Sequence, residues 1–388
     1  MKDEIREHLQ KKILPFWENL KDDGQGGYFG YMDENLQLKK DADKGCILNS
    51  RILWTFSTAA RILKQDTLRP YADHAYAFLE KYEDPVNGGV FWSATYDGKP
   101  ADTTKHTYCQ AFAVYGLAAY YRLTGNREAL ERALAIFRTI ETKCRDRKGY
   151  LEALKSDFTP ESNEKLSENG IMASRTMNTL LHVMEAYTEL YRAVPAEVVR
   201  KAGRSCLAQI LHTVYNPQKR RLEVFYDDDY HSMLDMQSYG HDIEGSWLIW
   251  DAAETFLDQE ELPSFRAMCL DLLESSTERA FTDHGLHYEI VNGVVNTNRA
   301  WWPQAEAVLG FCFGWRMTGE RCWLGRLKIQ WDYILRVIVD PRVGGEWFNE
   351  LKEDETSLLK PMVEEWKCPY HNGRMCLRLI ETDLPWDI

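Results

Sequence analysis

The chain has 388 residues, 44% of them hydrophobic and 28% charged, a composition typical of folded globular proteins and unlike that of disordered or fibrous chains. Its 47 basic and 60 acidic residues give a net charge of −13 at pH 7, which argues against nucleic acid and against an anionic membrane surface as partners. Aromatic residues are abundant, with 13 Trp, 20 Tyr and 15 Phe, so they either fill the core or also line a site.

The first residues, MKDEIREHLQ, mix acids with bases and precede no apolar run, so no secretory signal peptide is predicted. No stretch reaches the ~18 apolar residues that a membrane span needs. The nine cysteines are scattered and contain no C-x-x-C pair, which argues against a zinc cage or a disulfide framework. We therefore predict a cytoplasmic protein with reduced thiols.

A short turn-plus-strand pattern recurs six times along the chain. Its copies are GGYFGY from Gly26, GGVFWS from Gly88, GYLEAL from Gly149, RLEVFY from Arg221, GLHYEI from Gly285 and GGEWFN from Gly344. Successive copies lie 62, 61, 72, 64 and 59 residues apart. Asp, Asn and Gly cluster just before most copies, as they do where a helix ends and the chain turns. This period indicates one supersecondary unit repeated six times.

Two kinds of helical pattern lie between the copies. Segments that are apolar on nearly all sides predict buried inner helices, as at Cys109–Tyr121 and Ala305–Trp315. Amphipathic segments predict outer helices with one wet face, at Arg127–Thr139, Ala196–His212, Glu260–Ala280 and Glu320–Val337. Six such pairs favour an all-α fold, an (α/α)6 barrel of six inner and six outer helices with short β-hairpin-like elements at one end.

An open solenoid is the alternative architecture, but it would need polar capping repeats, and neither end of the chain resembles one. No stretch rich in Pro, Gly and Ser interrupts the repeats as a linker would. We therefore predict a single catalytic domain over residues 1–388.

Polar and aromatic residues stand at or just after the predicted start of each inner helix. The starts lie near Gly45, Lys105, Met172, Ser238, Trp301 and Pro369. The residues near them are Arg51; His106 and Tyr108; Asn178 and His182; His241 and Glu244; Trp302 and Glu306; and His371 and Arg374. Inner helices of a barrel begin at one end, and residues three or four apart share a helix face. We therefore predict that these side chains converge on one cavity mouth, with the turn-plus-strand elements as lids.

Three of these residues, His182, His241 and His371, point to acid–base chemistry. Histidine can take up and return a proton near pH 7. Together with Arg51 and the helix N-termini, which stabilise negative charge, they suit proton abstraction next to a carbonyl group. Aromatic walls with scattered amides suit a sugar. A structural ion pair of Arg51 with a neighbour such as Glu244 or Glu306 is the alternative interpretation of that arginine, because an unpaired buried charge is costly.

Other kinds of site fit the sequence less well. Three histidines with Glu244 could bind zinc or iron, but the HDIE spacing is not that of a paired-histidine helix motif, and Asn178 is a poor zinc ligand. No dinucleotide or phosphate-loop fingerprint occurs. We predict no metal and no cofactor.

Several segments resemble the N-acylglucosamine 2-epimerase superfamily and, within it, the cellobiose 2-epimerases. They are DADKGCILNSRILW (Asp41–Trp54), KHTYCQAFAVY (Lys105–Tyr115), LSENGIMASRTMNTLLHVMEAYTELY (Leu166–Tyr191), SYGHDIEGSWL (Ser238–Leu248), RAWWPQAEAVLGF (Arg299–Phe311), GGEWF and WKCPYHNGRMC (Trp366–Cys376). The resemblance spans nearly the whole chain, and the SYGHDIE and WKCPYHNGRMC blocks are specific.

The resemblance implies a cofactor-independent enzyme that converts the reducing-end glucose of a β-1,4-linked disaccharide to mannose. It implies His241 and His371 as the acid/base pair and His182 as a helper in ring opening. The residues it implies for substrate binding are Arg51, Tyr108, Asn178, Glu244, Trp302, Glu306 and Trp366. The hypothesis is that His371 ahead of His241 removes the C2 proton to give a cis-enediolate. The proton returns to the other face from the second histidine, or from the first after rotation about C2–C3. We expect a monomer or a weak homodimer.

Three other functions stay open at this point. An aldose–ketose isomerase, or an N-acylglucosamine or mannose epimerase-isomerase, would use the same scaffold. A glycoside hydrolase would need two carboxylates across the scissile bond, and Glu244 with Glu306 is the pair available. A non-catalytic sugar- or protein-binding module would not need three inward histidines.

Overall fold

A computed structural model describes residues 1–165 and 170–386. Residues 166–169, the first four of the segment 166–191 quoted above, and residues 387–388 lie outside this description. The helices of the described residues are, in chain order, α1 (Lys2–His8), α2 (Leu14–Glu18), α3 (Cys46–Leu63), α4 (Arg69–Leu79), α5 (Thr107–Thr124), α6 (Arg127–Lys143), α7 (Met177–Ala193), α8 (Glu197–Gln209), α9 (Tyr239–Phe256), α10 (Leu262–Ala280), α11 (Trp301–Thr318), α12 (Arg321–Tyr333) and α13 (Tyr370–Glu381).

These helices form two concentric rings. The inner ring consists of α3, α5, α7, α9, α11 and α13; each packs against the next, and α13 packs against α3 to close the circle. The outer helices α4, α6, α8, α10 and α12 each pack on the inner helix that precedes them, and α1 packs on α13. The fold is an (α/α)6 barrel, so the prediction from the repeats is confirmed. Within the described residues, no helix combines the length and the apolar composition that crossing a membrane requires.

Local sequence explains how one repeat turns from its inner to its outer helix. Helix α5 ends at Gly125, which adopts the left-handed conformation (φ 71°) that glycine tolerates best. The next residue, Asn126, caps α6 by accepting hydrogen bonds from the backbone N–H groups of Glu128 and Ala129. Helix α6 then buries one apolar stripe against α5, which includes Phe137. The short Gly-Asn turn therefore sets the two helices antiparallel.

One predicted helix start is wrong. The third inner helix was expected to begin near Met172, but α7 begins at Met177. The two residues before α7, Arg175 and Thr176, form a short strand, and Arg175 donates a hydrogen bond to the Asp146 carboxylate. The Thr176 hydroxyl then caps the helix by accepting from the Thr179 N–H. Tertiary contacts thus delay the helix beyond what the sequence pattern indicates.

Short strands lie at the end of the barrel where the inner helices begin. They are β1 (Lys44–Gly45), β2 (Ser93–Ala94), β3 (Arg175–Thr176), β4 (Tyr215–Asn216), β5 (Arg221–Leu222), β6 (Phe225–Tyr226), β7 (Met236–Ser238), β8 (Phe281–Thr282), β9 (Gly285–Leu286), β10 (Glu289–Val291), β11 (Val294–Asn296), β12 (Arg299–Ala300) and β13 (Glu350–Leu351). Strand pairs β1–β2, β3–β6, β7–β10 and β12–β13 are antiparallel and link neighbouring repeats.

Each turn-plus-strand pattern of the sequence forms a small antiparallel pairing. The six pairings are Lys21 with Tyr28, Glu83 with Val90, Arg145 with Tyr150, β4 with β5, β8 with β9, and Val339 with Trp347. We call these six elements the rim hairpins. The expected β-hairpin-like elements are therefore present in every repeat.

Polar residues in the first turn of four inner helices hold the rim hairpins in place. Their side-chain oxygens accept hydrogen bonds from hairpin backbone N–H groups at 2.7–3.0 Å: Tyr28 to Asn49, Val90 to Gln110, Leu222 to Asp242 and Leu286 to Gln304. All four acceptors are buried. Since a buried polar group without a partner is costly, these bonds fix each hairpin against its own inner helix.

Buried ion pairs add to this attachment, and one of them gives a stability prediction. Lys44 Nζ lies 2.7 Å from Asp22 Oδ2 at the first rim hairpin, and both side chains are buried. Removing one partner of a buried pair leaves the other charge uncompensated, at a cost of about 3–5 kcal/mol. We expect Asp22→Ala to destabilise the protein by about 3 kcal/mol, measured as the shift of the urea unfolding midpoint by circular dichroism.

Asp23→Ala is the matched control, because the Asp23 side chain is 78% exposed and pairs with Lys21 at the surface. An exposed pair contributes about 0–1 kcal/mol, so the midpoint should hardly move. Equal losses in the two variants would contradict the stabilising role given to the Lys44–Asp22 pair.

Candidate active site

A cavity of about 200 Å³ lies at the end of the barrel where the inner helices begin. Nine of the ten predicted site residues line it: Arg51, Tyr108, Asn178, His182, His241, Glu244, Trp302, Trp366 and His371. These residues come from all six inner helices and from the segment before α13. The structure thus brings together residues that are more than 300 positions apart in the chain.

His371 lies in the first turn of α13 and is held by a carboxylate. Its Nδ1 lies 2.7 Å from Oε1 of Glu306. Burial and the nearby guanidinium of Arg374 hold the pKa of His371 well below its usual value, so the ring is neutral at pH 7. A carboxylate accepts from Nδ1–H, and this leaves Nε2 unprotonated. His371 is therefore arranged to act as a base.

His182 on α7 is held in the same way. Its Nδ1 lies 2.8 Å from Oε2 of Glu185, which also accepts a hydrogen bond from the Tyr370 hydroxyl. On the other side of the ring, Nε2 lies 3.9 Å from Oε2 of Glu244. Burial raises the pKa of Glu185, but Arg374 and His182 outweigh it and bring that pKa down to about 2. The ionised Glu185 thus orients the His182 ring.

His241 differs from the other two because its partner is a hydroxyl. Its Nδ1 lies 2.7 Å from Oγ of Ser238, the last residue before α9. Burial, with a smaller effect of His182, lowers the pKa of His241 to about 3, so this ring is neutral as well. The ring centroid of Trp302 lies 4.7 Å from that of His241 and 5.5 Å from that of His371. Both histidines therefore adjoin the same indole.

Arg51 is fixed by aromatic rings rather than by an acid. Its guanidinium lies 4.1 Å from the centroid of Phe112 and 4.5 Å from that of Tyr370. Its Nη2 donates to the hydroxyl of Tyr108 at 2.7 Å. The alternative ion pair with Glu244 or Glu306 is wrong, because Arg374 takes both carboxylates. Arg51 keeps its positive charge beside the cavity, since neighbouring groups raise its pKa against the effect of burial.

Four residues that line this cavity each have a buried polar atom without a hydrogen-bond partner among the described residues: Arg51 Nε, Asn178 Oδ1, Glu244 Oε2 and Trp301 Nε1. Buried polar groups are nearly always paired, so such a cluster points to a polar ligand. Aromatic rings stand beside these atoms, with the centroid of Trp366 5.6 Å from that of Tyr108. Two donors and two acceptors next to aromatic faces match the hydroxyls and the C–H faces of a sugar.

Comparisons with known proteins agree with this geometry. The family model for N-acylglucosamine 2-epimerase (GlcNAc 2-epimerase) matches residues 27–372. The chain belongs to this family. Cellobiose 2-epimerases of Eubacterium cellulosolvens and Ruminococcus albus are 48% and 44% identical, over 99% and 97% of both chains. The structure of cellobiose 2-epimerase from Bacillus thermoamylovorans B4167 superposes with a TM-score of 0.95 at 40% identity, over 98% of each chain.

In this protein, Glu306 does not lie at the cavity surface, where it was expected. It was predicted to bind substrate, but it is fully buried behind His371 and does not line the cavity. Its oxygens accept hydrogen bonds from Arg374 and from the Trp247 indole N–H. Its position on α11, four residues after Trp302, indicates that it shares the inward helix face, but not how deep its side chain lies below the cavity. Glu306 contacts the histidine rather than the cavity.

This position also bears on two alternatives. Glu244 and Glu306 cannot flank a glycosidic bond as a hydrolase pair, since only Glu244 faces the cavity. Among the described residues, the oxygens of both acids and a nitrogen of His371 cluster within 4.8 Å, as metal ligands do. The guanidinium of Arg374, 2.5 Å and 2.7 Å from these carboxylates, already supplies the positive charge there. The cluster is therefore organised around an arginine.

His106 was expected at the cavity mouth, but it is buried in the wall. Its Nε2 lies 3.0 Å from Oδ1 of Asn163, and its Nδ1 accepts from the Tyr108 N–H to cap α5. Burial lowers its pKa to about 4, so it is a neutral structural residue. The rim hairpins were expected to act as lids over the cavity. Among the described residues, only the fifth and sixth repeats place side chains next to their rim hairpins in the cavity lining, Tyr288 and Asn349 among them.

The sequence analysis missed Glu185 and Tyr370, which hold His182 from below. A signal for Glu185 was present, because it follows His182 by three residues and so shares its helix face. Tyr370 precedes His371 directly and gave no such signal. Loop residues Lys165, Lys360 and Glu364 also line the cavity, and their loops carry no periodic pattern from which this could be deduced.

Proposed function

We propose that this member of the N-acylglucosamine 2-epimerase family is a cellobiose 2-epimerase. It interconverts the reducing-end glucose of β-1,4-linked disaccharides, such as cellobiose and lactose, with mannose. The observation that carries the proposal is the meeting of three histidines around one cavity, two of them buried and bonded to carboxylates at Nδ1. The names of relatives at 48% and 44% identity support the choice of substrate.

The reaction begins with opening of the hemiacetal, which exposes an aldehyde at C1. In the proposed assignment, His182 assists by moving a proton between the C1 hydroxyl and the ring oxygen. The aldehyde makes the C2 proton acidic. His371 Nε2 removes this proton, the C–H electrons form the C1–C2 double bond, and the carbonyl electrons move to the C1 oxygen. Arg51 stabilises the resulting negative charge on the enediolate.

Epimerisation then requires a proton on the opposite face of C2. In the two-histidine route, His241 first takes up a proton from solvent, which the negative charge of the enediolate favours; the electrons then return from oxygen to C2, His241 donates this proton to C2 and becomes neutral again. In the one-histidine route, the protonated His371 returns its proton after rotation about C2–C3, and in either route the ring then closes. That both histidines adjoin the same indole, Trp302, supports the two-histidine route. Tyr108, Trp302 and Trp366 are proposed to hold the sugar faces, and Asn178 and Glu244 its hydroxyls.

We further propose that residues 1–388 act as one catalytic domain, without a cofactor, as a monomer or weak homodimer in the cytoplasm. The closure of α13 on α3 supports the single domain. All nine cysteines are free thiols, and eight of them are buried, which supports a reducing compartment.

Incubation of cellobiose in heavy water tests the reaction. We expect a glucosyl-mannose product that carries deuterium at C2, located by NMR, because the abstracted proton is replaced from solvent. A ketose product labelled at C1 would instead identify an aldose–ketose isomerase. Release of free glucose would identify a hydrolase, and binding without turnover would identify a sugar-binding module. Any of these three outcomes would overturn the proposal.

A further inference from the structure

Arg374 is the centre of a buried ionic cluster beneath the cavity. It lies on α13, three residues after His371, and only 1% of its side chain is exposed. Its Nη1 lies 2.5 Å from Glu185, and its Nη2 lies 2.5 Å from Glu244 and 2.7 Å from Glu306. These three acids belong to α7, α9 and α11. One guanidinium therefore joins four of the six inner helices.

Each of these three carboxylates is also next to a histidine of the cavity. Glu185 holds Nδ1 of His182, and Glu306 holds Nδ1 of His371. Glu244 lies between the two rings, with its oxygens 3.9 Å from His182 Nε2 and 3.8 Å from His371 Nδ1. The position of both histidines thus depends on carboxylates that Arg374 also contacts.

We propose that Arg374 is a positioning residue for the epimerisation: by binding three carboxylates at once, it keeps His182 and His371 oriented with Nε2 toward the substrate. This inference rests on the proposed function. Arg374 itself does not line the substrate cavity, so it acts through its partners. A guanidinium suits this role because its planar fork offers five N–H donors in fixed directions. A lysine at this position would keep the charge, but its single ammonium cannot reach acids on three helices.

The guanidinium also sets the protonation of the acids around it. Burial raises the pKa of Glu306, and burial together with Glu306 raises that of Glu244 to about 7, while Arg374 opposes both shifts. Without Arg374, the pKa values of both acids rise further, so each takes up a proton at higher pH than in the wild type. A protonated Glu306 no longer accepts reliably from His371 Nδ1–H, and the imidazole is then free to turn or to change tautomer.

The expected pH dependence follows from all the groups that face this cluster. They are Glu185, Glu244 and Glu306 from three helices, Arg51 from α3, Tyr115 from α5, Tyr370 from α13 itself, and the rings of His182, His241 and His371. Losing the positive charge of Arg374 raises the pKa of His371 and those of the acids. The acidic limb of the kcat/KM profile must therefore move to higher pH in a neutral variant, and stay in place when a lysine keeps the charge.

Two variants and a control test the proposal on cellobiose. Arg374→Met should lower kcat by ~100-fold with KM within ~3-fold of wild type, in the range seen when the partners of catalytic groups are removed. Its acidic limb should move to higher pH. Arg374→Lys should lower kcat by ~10-fold or more without that movement. Arg378→Met is the control, because Arg378 lies one turn further along α13 and pairs with Asp251 away from the cavity. It should lower stability but keep the wild-type pH profile.

The outcomes distinguish a failure of the proposed epimerase function from a failure of the positioning role of Arg374. If wild-type protein leaves the C2 proton of cellobiose unexchanged, the proposed function fails. If wild type is active and both Arg374 variants keep its kcat and pH profile, the positioning role is overturned. Should Arg374→Met fail to fold, Arg374→Lys decides alone: wild-type kcat overturns the proposal, and a reduced kcat at unchanged KM supports it. A loss of kcat in Arg378→Met as large as in Arg374→Lys would also overturn it, since the effect would then be structural.

Discussion

His371→Ala is expected to reduce kcat for epimerisation of cellobiose by ~10³–10⁴-fold, the upper part of the range for loss of a general base. The reason lies in the contacts of the ring: Glu306 holds Nδ1 and the low pKa keeps Nε2 unprotonated, so the alanine removes the group that takes the C2 proton. Exchange of that proton with heavy water should fall by the same factor. Chromatography of the products and NMR of the C2 position measure the two effects.

The control for this variant is His231→Ala. His231 is 78% exposed, pairs with Asp227 at the surface and lies away from the cavity, so its loss should leave kcat unchanged. Full activity of His371→Ala, with a circular dichroism spectrum like that of wild type, would remove His371 from the role of base.

His241→Ala is expected to lower net conversion to the mannose epimer by ~10²–10⁴-fold, because this ring is the proposed source of the proton on the second face. The variant also distinguishes the two routes. With two bases, His371 still removes and returns the proton on its own face, so deuterium enters C2 of unconverted cellobiose while no epimer forms. With one base and rotation, exchange and conversion fall together.

Time courses of deuterium incorporation and of product formation in His241→Ala give both rates from one sample. Conversion at the wild-type rate would contradict a catalytic role of His241 under either route. The substitution removes the contact with Trp302 as well, so KM is measured alongside kcat to separate weaker binding from slower chemistry.

The repeat in the sequence predicted the architecture well, because each copy pairs an inner with an outer helix and six such pairs close a ring. Helix starts were less predictable. The pattern placed the third inner helix at Met172, whereas Arg175, bonded to Asp146, lies in the short strand β3 (Arg175–Thr176), and the helix begins only at Met177. This interaction joins residues 29 positions apart, and helical periodicity carries no information about it.

For the site, helix spacing indicated which faces turn inward but not how deep each side chain lies. Nine predicted residues line the cavity, whereas Glu306 on the same face lies one layer below. The ion pairs of Arg374 could not be predicted from residue spacing along a helix. Its partner Glu185 is 189 positions away, and only closure of the ring brings the two together.

The attachment of four rim hairpins to the inner helix that follows each of them has a consequence for how this scaffold can change. The copies of the repeat are 59 to 72 residues apart, and the longest interval, from Gly149 to Arg221, includes the loop that carries Lys165 to the cavity. Because bonds such as those from Tyr28 to Asn49 and from Leu286 to Gln304 anchor four of the copies locally, loops between the anchors can lengthen without moving the inner helices to which these copies are bonded. Substrate preference and proton chemistry can therefore evolve separately in this barrel.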